Sequence, residues 1–268
     1  MLGCMDLPGL DGIPPEGRQI PVDPLNKSAG YVNVTCGSAT YICNGTQSYS
    51  LWDGKFKNGS QAKAYPYGPQ SDGWSVKNGG AKAGESVNMF SAEQLPIKKT
   101  LATEFGVFNK FFTSTPTAST PNHLFAQSCT SCGQIGNSLY NTVGGSTAMY
   151  PQLTIFDNME LNNVSFGLYM NNTNDPNWPK EYLTPVSVPD VVMSGVARYK
   201  DNFYNHSEFS AAAAAGTLPS FSWIMPPAPM MDHPCHDIAL GERLHKDIYE
   251  ALRAGKNWEK TLFLIMCA

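Results

Sequence analysis

The sequence predicts an α/β protein in which a largely parallel sheet is covered by helices on both faces. Helical and strand-like patterns alternate after residue 150, and an amphipathic helix is predicted over 237–254. The apolar run 261–266 has the continuous hydrophobicity of a strand that is buried on both faces. Because ligands of such sheets bind beyond the carboxyl ends of the strands, a site is expected at that edge.

The N-terminal third is predicted to contain one helix. Residues 1–90 are rich in glycine, proline and turn pairs, and they are expected to be irregular. A helix is predicted over 92–105, because Ser91 and Gln94 have the spacing of a capping box and Pro96 falls in the first turn.

The next segment is predicted to run from a strand into a second helix. Residues 105–112 are aromatic and apolar over a short length, which favours a buried strand. The Ser/Thr-rich stretch 113–122 follows as a turn-rich loop. Pro121 is placed to be the first residue of a helix that continues through 123–125.

Alternating elements make up most of the remaining chain. Helices are predicted near 154–161 and 207–215, the second of which ends at Gly216. Strands are predicted near 164–170 and 219–224. Strands that alternate with helices are typical of βαβ units, whose strands run parallel.

Composition and charge exclude two classes of partner. A net charge of -4 leaves no general basic field for a nucleic-acid backbone. No window approaches the roughly 18 consecutive apolar residues that a membrane-spanning helix requires. We therefore expect a folded protein that does not bind nucleic acid and has no transmembrane segment.

Two pairs among the seven cysteines have suggestive spacings. Cys36 and Cys43 flank a short loop, which predicts a local disulfide between them. Cys129 and Cys132 form a C-x-x-C motif, but no second C-x-x-C or H-x3-H supplies the remaining ligands of a zinc site. The Ser/Thr-rich surroundings also differ from the strand-to-helix setting of a thioredoxin-like motif, so metal and redox roles are not favoured.

Glycosylation motifs indicate a compartment. The pattern N-x-[ST] is more frequent than the roughly three occurrences that composition alone would give, and it begins at Asn26, Asn33, Asn44, Asn58, Asn163, Asn171 and Asn205. The excess favours a secreted or lumenal protein, and an Asn-rich composition is the alternative. The first residues lack the basic and apolar regions of a signal peptide, so secretion would require an N-terminal segment beyond this sequence.

Ser119 is the first candidate for chemistry. It lies between the predicted strand 105–112 and the helix that follows, where backbone N–H groups and the positive end of a helix dipole converge. Such a position suits a hydroxyl that attacks a phosphoryl group, because the developing negative charge falls on those donors. The alternative is a Ser/Thr-rich surface loop that caps a helix.

The segment Met231–Asp237 is the second candidate. Its Asp and His residues, with Glu242 shortly after, could bind a metal or donate a proton to a leaving group. His233 is held on a stiff loop by the proline that follows it. In the alternative interpretation, His236 and Asp237 simply cap the next helix.

Two segments resemble the phosphoesterase family of non-specific phospholipases C and related acid phosphatases. One is 95–128, which contains S-T-P-N at 119–122, and the other is 233–265, which begins H-P-C-H-D. The order M-L-G (1–3) then L-D-G-I (10–13) and the spacing of the two segments also fit. The resemblance implies one phosphoesterase domain over 1–268, with the α/β/α sandwich of the alkaline-phosphatase superfamily.

The same resemblance implies roles for particular residues. Ser119 falls at the position of the family's Ser or Thr nucleophile, which forms a covalent phosphoryl intermediate. Asn122 would orient phosphate oxygens, and Thr120 and His236 would also bind substrate. His233 would assist proton transfer or phosphate binding.

Two family segments have no counterpart in this sequence. Members carry E-N-R-S-F-D just before M-L-G and D-E-H-G-G just after the last strand, and both supply groups associated with a divalent metal. No metal ligand is therefore expected within this chain, although a divalent ion is expected for a complete protein. We interpret the chain as a fragment with little or no phosphodiesterase activity, since an unassisted serine hydroxyl is a weak nucleophile.

Three functions remain open from the sequence. The first is a phosphoric ester hydrolase of the phospholipase C type, acting on a phospholipid or a small phosphoester. The second is an acid phosphatase on the same scaffold. The third is a non-catalytic secreted glycoprotein that has lost its metal site. The headgroup, the metal and the oligomeric state are not specified by the sequence.

Overall fold

The structure, a computed structural model, describes residues 2–14, 16–21, 28, 30–39, 89–115, 119–134, 141–143, 146–148, 150–170, 194–227, 230–232 and 236–267. The chain divides into two compact units. The first comprises Met1–Phe112, Pro116–Ala118 and Asp232–Glu242, and the second comprises Thr113–Thr115, Ser119–Met231 and Arg243–Ala268. The division does not test the predicted single domain over 1–268, which stays a prediction.

The first unit begins with a short 3-10 helix at Leu2–Cys4 and a pair of antiparallel strands. The strands are β1 (Arg18–Pro21) and β2 (Tyr31–Val34). Alternation along β2 buries Val34 and leaves Asn33 exposed, as expected for a strand with one solvated face. The N-terminal region, predicted to be irregular, therefore contains regular structure within its described part.

The disulfide of this unit joins Cys4 to Cys36, whose Cα atoms are 5.6 Å apart. The predicted bond between Cys36 and Cys43 is therefore wrong, because the Cys36 sulfur is already bonded; Cys43 itself lies outside the described residues. The bond links positions 32 residues apart in the chain. Cysteines that far apart have no characteristic local spacing, so the sequence does not identify them as a pair.

The helix predicted over 92–105 is confirmed. Ser91 begins a 3-10 turn at Ala92–Gln94, and the Ser91 N–H donates to Gln94 Oε1 at 2.8 Å, completing a capping box. Helix α1 follows at Pro96–Glu104, with the proline at its first position, where no backbone donor is needed.

The segment 105–112 does not form the predicted strand. Asn109 and Lys110 make a turn, and the Asn109 side chain holds that turn by accepting from Asp11 N–H at 3.3 Å and donating to Gly9 O at 2.8 Å. The phenylalanines of the segment are 51–73% exposed: Phe105, Phe108, Phe111 and Phe112. Apolar composition alone predicted a buried strand, but no strand among the described residues pairs with this segment.

The second unit contains the parallel sheet that the sequence predicts. Its strands lie in the order Phe203–Tyr204, Phe166–Tyr169, Phe221–Ile224, and both pairings are parallel. In chain order, the elements are α2 (Ser119–Ser128), the hairpin β3 (Asn141–Val143) and β4 (Ser146–Ala148), α3 (Ile155–Leu161), β5 (Phe166–Tyr169), α4 (Ser194–Ala197), β6 (Phe203–Tyr204), α5 (His206–Ala215), β7 (Phe221–Ile224) and α6 (Ile238–Ala254). Helix α6 contributes its residues from Arg243 onward to this unit. The helices predicted near 154–161, 207–215 and 237–254 and the strands predicted near 164–170 and 219–224 are confirmed.

Strand β5 is the centre of the core, because its side chains are buried on both faces. Leu168 packs on one face with Leu124 of α2 and Phe156 of α3. Tyr169 packs on the other face with Phe209 of α5 and Ile248 of α6. Helices therefore cover both faces of the sheet, as expected for parallel strands.

Helix α5 ends at the glycine that the sequence predicts, and a capping box, which was not predicted, forms its start. Asn205 and Glu208 form a capping box in which the Asn205 N–H donates to Glu208 Oε2 at 2.6 Å. Gly216 follows the last turn with φ 73°, a left-handed conformation that glycine adopts without a steric penalty.

The apolar run 261–266 does not form the predicted strand. It follows a 3-10 helix at Trp258–Lys260 as irregular chain, and Leu262 and Leu264 are 81% and 54% exposed. The described strands pair only with one another, so within the described part of the chain no strand is hydrogen-bonded to this run. In the described residues, no helix is long and apolar enough to cross a bilayer.

Replacement of the central core leucine tests the two-faced burial of β5. Leu168 is 0% exposed, so Leu168→Ala should lower the free energy of unfolding by about 2–5 kcal/mol through lost burial and a cavity. Leu161 is 81% exposed, and Leu161→Ala is the matched control with an expected change within about 0.5 kcal/mol. Urea unfolding of both variants measures the difference, and equal effects would contradict the described core.

His206 predicts a specific pH dependence of stability. Burial lowers the pKa of His206 below its ordinary value, while the contact between its Nε2 and Met225 O acts in the opposite direction. The folded protein therefore keeps the imidazole neutral at pH values where the unfolded chain protonates it. Because the unfolded chain binds the additional proton, this residue makes the free energy of unfolding fall as the pH drops below about 6.5.

The variant His206→Gln removes this contribution. Its free energy of unfolding relative to the unmodified chain should therefore rise as the pH is lowered from about 8 to about 5. Urea titrations of both chains at each pH measure the difference. A difference that stays constant over this range would show that the imidazole titrates alike in the folded and unfolded states.

Candidate active site

Ser119 is the first residue of α2, and its side chain is partly exposed. The helix therefore begins two residues before Pro121, which the sequence predicted as the first helical residue. The backbone N–H groups of a first helical turn have no partners within the helix, and the helix dipole places partial positive charge there. Ser119 thus stands at an end of a helix that attracts anions.

Asn122 fastens this helix end to the loop before it. Its Nδ2 donates to Thr115 O and its Oδ1 accepts from Thr115 N–H, each at 3.1 Å. The side chain is only 6% exposed. Asn122 therefore holds Thr115 against the first turn of α2, and its predicted contact with phosphate oxygens stays a prediction.

The buried face of α2 anchors the helix in the second unit. Thr120 and Leu124 are 2% and 0% exposed, and Leu124 belongs to the core on one face of the sheet. Burial of these side chains, four residues apart on one helix face, leaves Ser119 nearer to the surface. The predicted contact of Thr120 with substrate stays a prediction.

A buried cluster of charges lies in the first unit and involves a residue that the sequence did not single out. Lys98 Nζ is 2.7 Å from Glu242 Oε1 and 2.9 Å from Asp232 Oδ2, and the lysine is 9% exposed. Glu242 Oε2 also accepts from the backbone N–H groups of Ile97, at 2.6 Å, and Lys98, at 3.2 Å. Glu242 therefore caps the N-terminus of α1, and Lys98 pairs with both carboxylates, which the sequence offered as candidates for metal binding.

The sequence contains a pattern from which the burial of Lys98 could have been predicted. Leu95 is 0% exposed, and Lys98 follows it at the i+3 position, on the same side of the turn that enters α1. Lysine is almost never fully buried unless it is paired, so its partners had to come from elsewhere in the chain. Glu242 is 144 residues away in sequence, and a local pattern cannot reveal that separation.

His233, the predicted proton-transfer residue, lies outside the described residues. Its predicted pairing with Ser119 stays a prediction. His236 is described and partly exposed, and its predicted substrate contact is also untested. Asp237 Oδ1 accepts from Ala239 N–H at 3.0 Å, which confirms the alternative interpretation that this residue caps α6.

A divalent ion does not fit the described residues by themselves. Among them, no three or more His, Cys, Asp or Glu side chains are grouped closely enough to hold a metal. The two acidic residues nearest to the H-P-C-H segment, Asp232 and Glu242, are paired with Lys98. No step of the reaction considered below is therefore assigned to a cation.

The fold and the site together define a class of protein. A parallel sheet covered by helices, with a serine at the N-terminus of one of them, is an α/β protein with a helix end of the kind that attracts anions. The Phosphoesterase family model matches residues 25–267, and the chain belongs to this family. The expected phosphoesterase resemblance and the α/β fold class are thereby confirmed.

Curated relatives agree with this assignment. Non-specific phospholipase C1 of Arabidopsis thaliana is 33% identical over 211 residues, which cover 74% of this chain and 36% of that protein. Non-specific phospholipase C6 is 34% identical over 66% of this chain and 32% of its own length, and non-specific phospholipase C4 is 28% identical over 87% and 44%. The chain thus spans about a third to under half of the length of these relatives.

Removal of the buried lysine tests the charge cluster. Lys98→Met leaves Glu242 and Asp232 buried without their cation, so the free energy of unfolding should fall by about 3–5 kcal/mol. Lys246 forms an ion pair with Glu250 at 2.7 Å on the surface, where both side chains are about half exposed. Lys246→Met is therefore the matched control, with an expected change below about 1 kcal/mol.

Chemical denaturation followed by circular dichroism measures both variants. If Lys98→Met and Lys246→Met reduce stability equally, the buried cluster does not hold the first unit together.

Proposed function

We propose that the protein is a phosphoric ester hydrolase of the phospholipase C type, with Ser119 as its nucleophile. The observation that carries the proposal is the position of Ser119 at the start of α2, within the S-T-P-N motif of a chain that belongs to the phosphoesterase family. The substrate class follows from the relatives, which are named non-specific phospholipases C.

The proposed reaction has two displacement steps. Ser119 Oγ attacks the phosphorus of a glycerophospholipid and loses its proton, for which His233 is the proposed acceptor; a P–Oγ bond forms, and the bond from phosphorus to the glycerol oxygen breaks. Diacylglycerol leaves after its oxygen accepts a proton, for which His233 is the proposed donor. Water then attacks the phosphoryl-serine, releases the phosphorylated headgroup and restores the serine hydroxyl.

The described residues support the first step in two ways. Negative charge grows on the phosphoryl oxygens as the attack proceeds, and the positive end of the α2 dipole is of the sign that stabilises it. The Asn122–Thr115 contacts hold the loop against the helix, so the serine is positioned before substrate arrives.

We also propose that the protein is secreted or lumenal. The Cys4–Cys36 disulfide supports this, because such bonds persist in oxidising compartments. Asn33 and Asn163 are exposed within their glycosylation motifs, as an acceptor asparagine must be.

Hydrolysis by the serine variant tests the proposed function. The full chain is assayed on phosphatidylcholine vesicles and on nitrophenyl phosphate, with and without added divalent cations. We expect slow release of diacylglycerol that Ser119→Ala reduces by at least about a hundredfold, because the nucleophile is gone. Ser210, exposed on α5, provides the matched control Ser210→Ala, which should keep the full rate.

Each other outcome has a definite meaning. Preferential hydrolysis of nitrophenyl phosphate would favour an acid phosphatase. Equal rates for Ser119→Ala and Ser210→Ala would remove Ser119 from the mechanism. No hydrolysis of either substrate under any cation condition would contradict the proposed activity for this chain, and it is the result expected both for a fragment without the metal-associated segments and for a non-catalytic glycoprotein.

A further inference from the structure

Cys129 and Cys132, the C-x-x-C pair that follows the C-terminal end of α2, have no role in the proposed reaction. Cys129 follows the last residue of the helix, and Cys132 follows three residues later. Both thiols are free and exposed, while Ser131 between them is buried at 8% exposure. The two cysteines therefore share the solvent side of the loop.

The chain turns sharply at both cysteines. Cys129 has φ 59° and Cys132 has φ 52°, so each residue is in the left-handed region, which non-glycine residues seldom adopt. Cys132 and Gly133 are the central residues of a turn closed by Gln134 N–H donating to Ser131 O at 3.0 Å. Two positive φ values at the centre of a turn are the signature of type I′.

Hydrogen bonds hold the residues between the cysteines in place. Cys132 N–H donates to Thr130 Oγ1 at 3.1 Å, which folds the chain back over one residue. Gln152 Nε2 donates towards both Ser128 Oγ and Thr130 O, each at 3.3 Å, and so ties this loop to the chain that precedes α3. Hydrogen bonds therefore hold the backbone between the two exposed cysteines in a defined turn.

We propose that Cys129 and Cys132 are a redox modification site, which closes as an intramolecular disulfide in an oxidising compartment. The disulfide between Cys4 and Cys36 favours this assignment, since a chain that carries one such bond is made where thiols can be oxidised. A loop of two intervening residues also has a small closure cost, so pairing within the motif is favoured over pairing with a distant cysteine.

The oxidation balances with a small disulfide such as oxidised glutathione as the oxidant. One cysteine thiolate attacks a glutathione sulfur, forming a mixed disulfide and releasing one glutathione thiolate. The second cysteine thiolate then attacks the sulfur of the first cysteine, forming the Cys129–Cys132 bond and releasing the second glutathione. Two cysteine protons are lost, and glutathione disulfide takes up the two electrons.

Closure of this bond constrains the exit of the helix that begins at Ser119. The loop is also tied to the core, because the Gln134 side chain hydrogen-bonds the hydroxyl of Tyr150, which is 1% exposed. Oxidation therefore constrains the end of α2 opposite to the proposed nucleophile.

Peptide mapping of the full chain tests the proposal without any substitution. The chain is equilibrated with oxidised and reduced glutathione, quenched with acid, alkylated and digested with trypsin. The tryptic peptide 111–180 contains Cys129 and Cys132 and no other cysteine. We expect it to resist alkylation and to be lighter than the dithiol peptide by two hydrogen atoms, while the Cys4–Cys36 peptides in the same digest confirm oxidising conditions.

Two variants and a sample unfolded in urea test whether the disulfide forms within the motif and whether the folded turn promotes it. Cys132→Ser should retain glutathione on Cys129, because the second displacement is blocked, whereas the control Cys267→Ser should map like the unmodified chain. Closure should also be roughly tenfold slower in urea, where the turn between the cysteines is lost. Alkylation of both cysteines, a cross-link from either to another cysteine, or equal rates in urea and buffer would overturn the proposal.

Discussion

The described structure depends first on the burial of β5 on both of its faces. This strand is hydrogen-bonded to a parallel neighbour on each side, and its side chains enter two separate cores. A strand of four residues can contribute to both cores because Phe166 and Leu168 point to one face of the sheet and Tyr169 points to the other. Leu124 of α2 packs in the core around Leu168, and this contact fixes the helix whose first residue is Ser119.

The helices and the parallel strands could be predicted where the signal was local. The capping boxes at Ser91 and Asn205, and Gly216 after α5, are short patterns with a direct physical cause. The runs 105–112 and 261–266 were predicted as strands from hydrophobicity, which reports a tendency to be buried and not the presence of a partner. A strand requires a neighbour for its backbone hydrogen bonds, and composition carries no information about that neighbour.

The candidate site was predictable to a smaller extent. The start of α2 near Ser119 followed from its Ser/Thr-rich loop and proline, and the helix begins at Ser119, two residues before the predicted first residue Pro121. The clamp from Asn122 to Thr115 was not foreseen, because an asparagine that bonds backbone atoms resembles one that binds a ligand. The Lys98 cluster and the Cys4–Cys36 bond join positions far apart in sequence, which only the folded chain brings together.

Covalent trapping tests the central claim, that a helix anchored on β5 presents Ser119 as the nucleophile of a phosphoesterase. The full chain is incubated with a radiolabelled phosphoester, quenched in acid during turnover and mapped by peptide mass. We predict a phosphoryl group on Ser119 in the peptide 111–180, since a phosphoserine ester survives acid once water attack is stopped. A phosphoryl group on a different residue, or hydrolysis that proceeds with no labelled protein at any quench time, would contradict it.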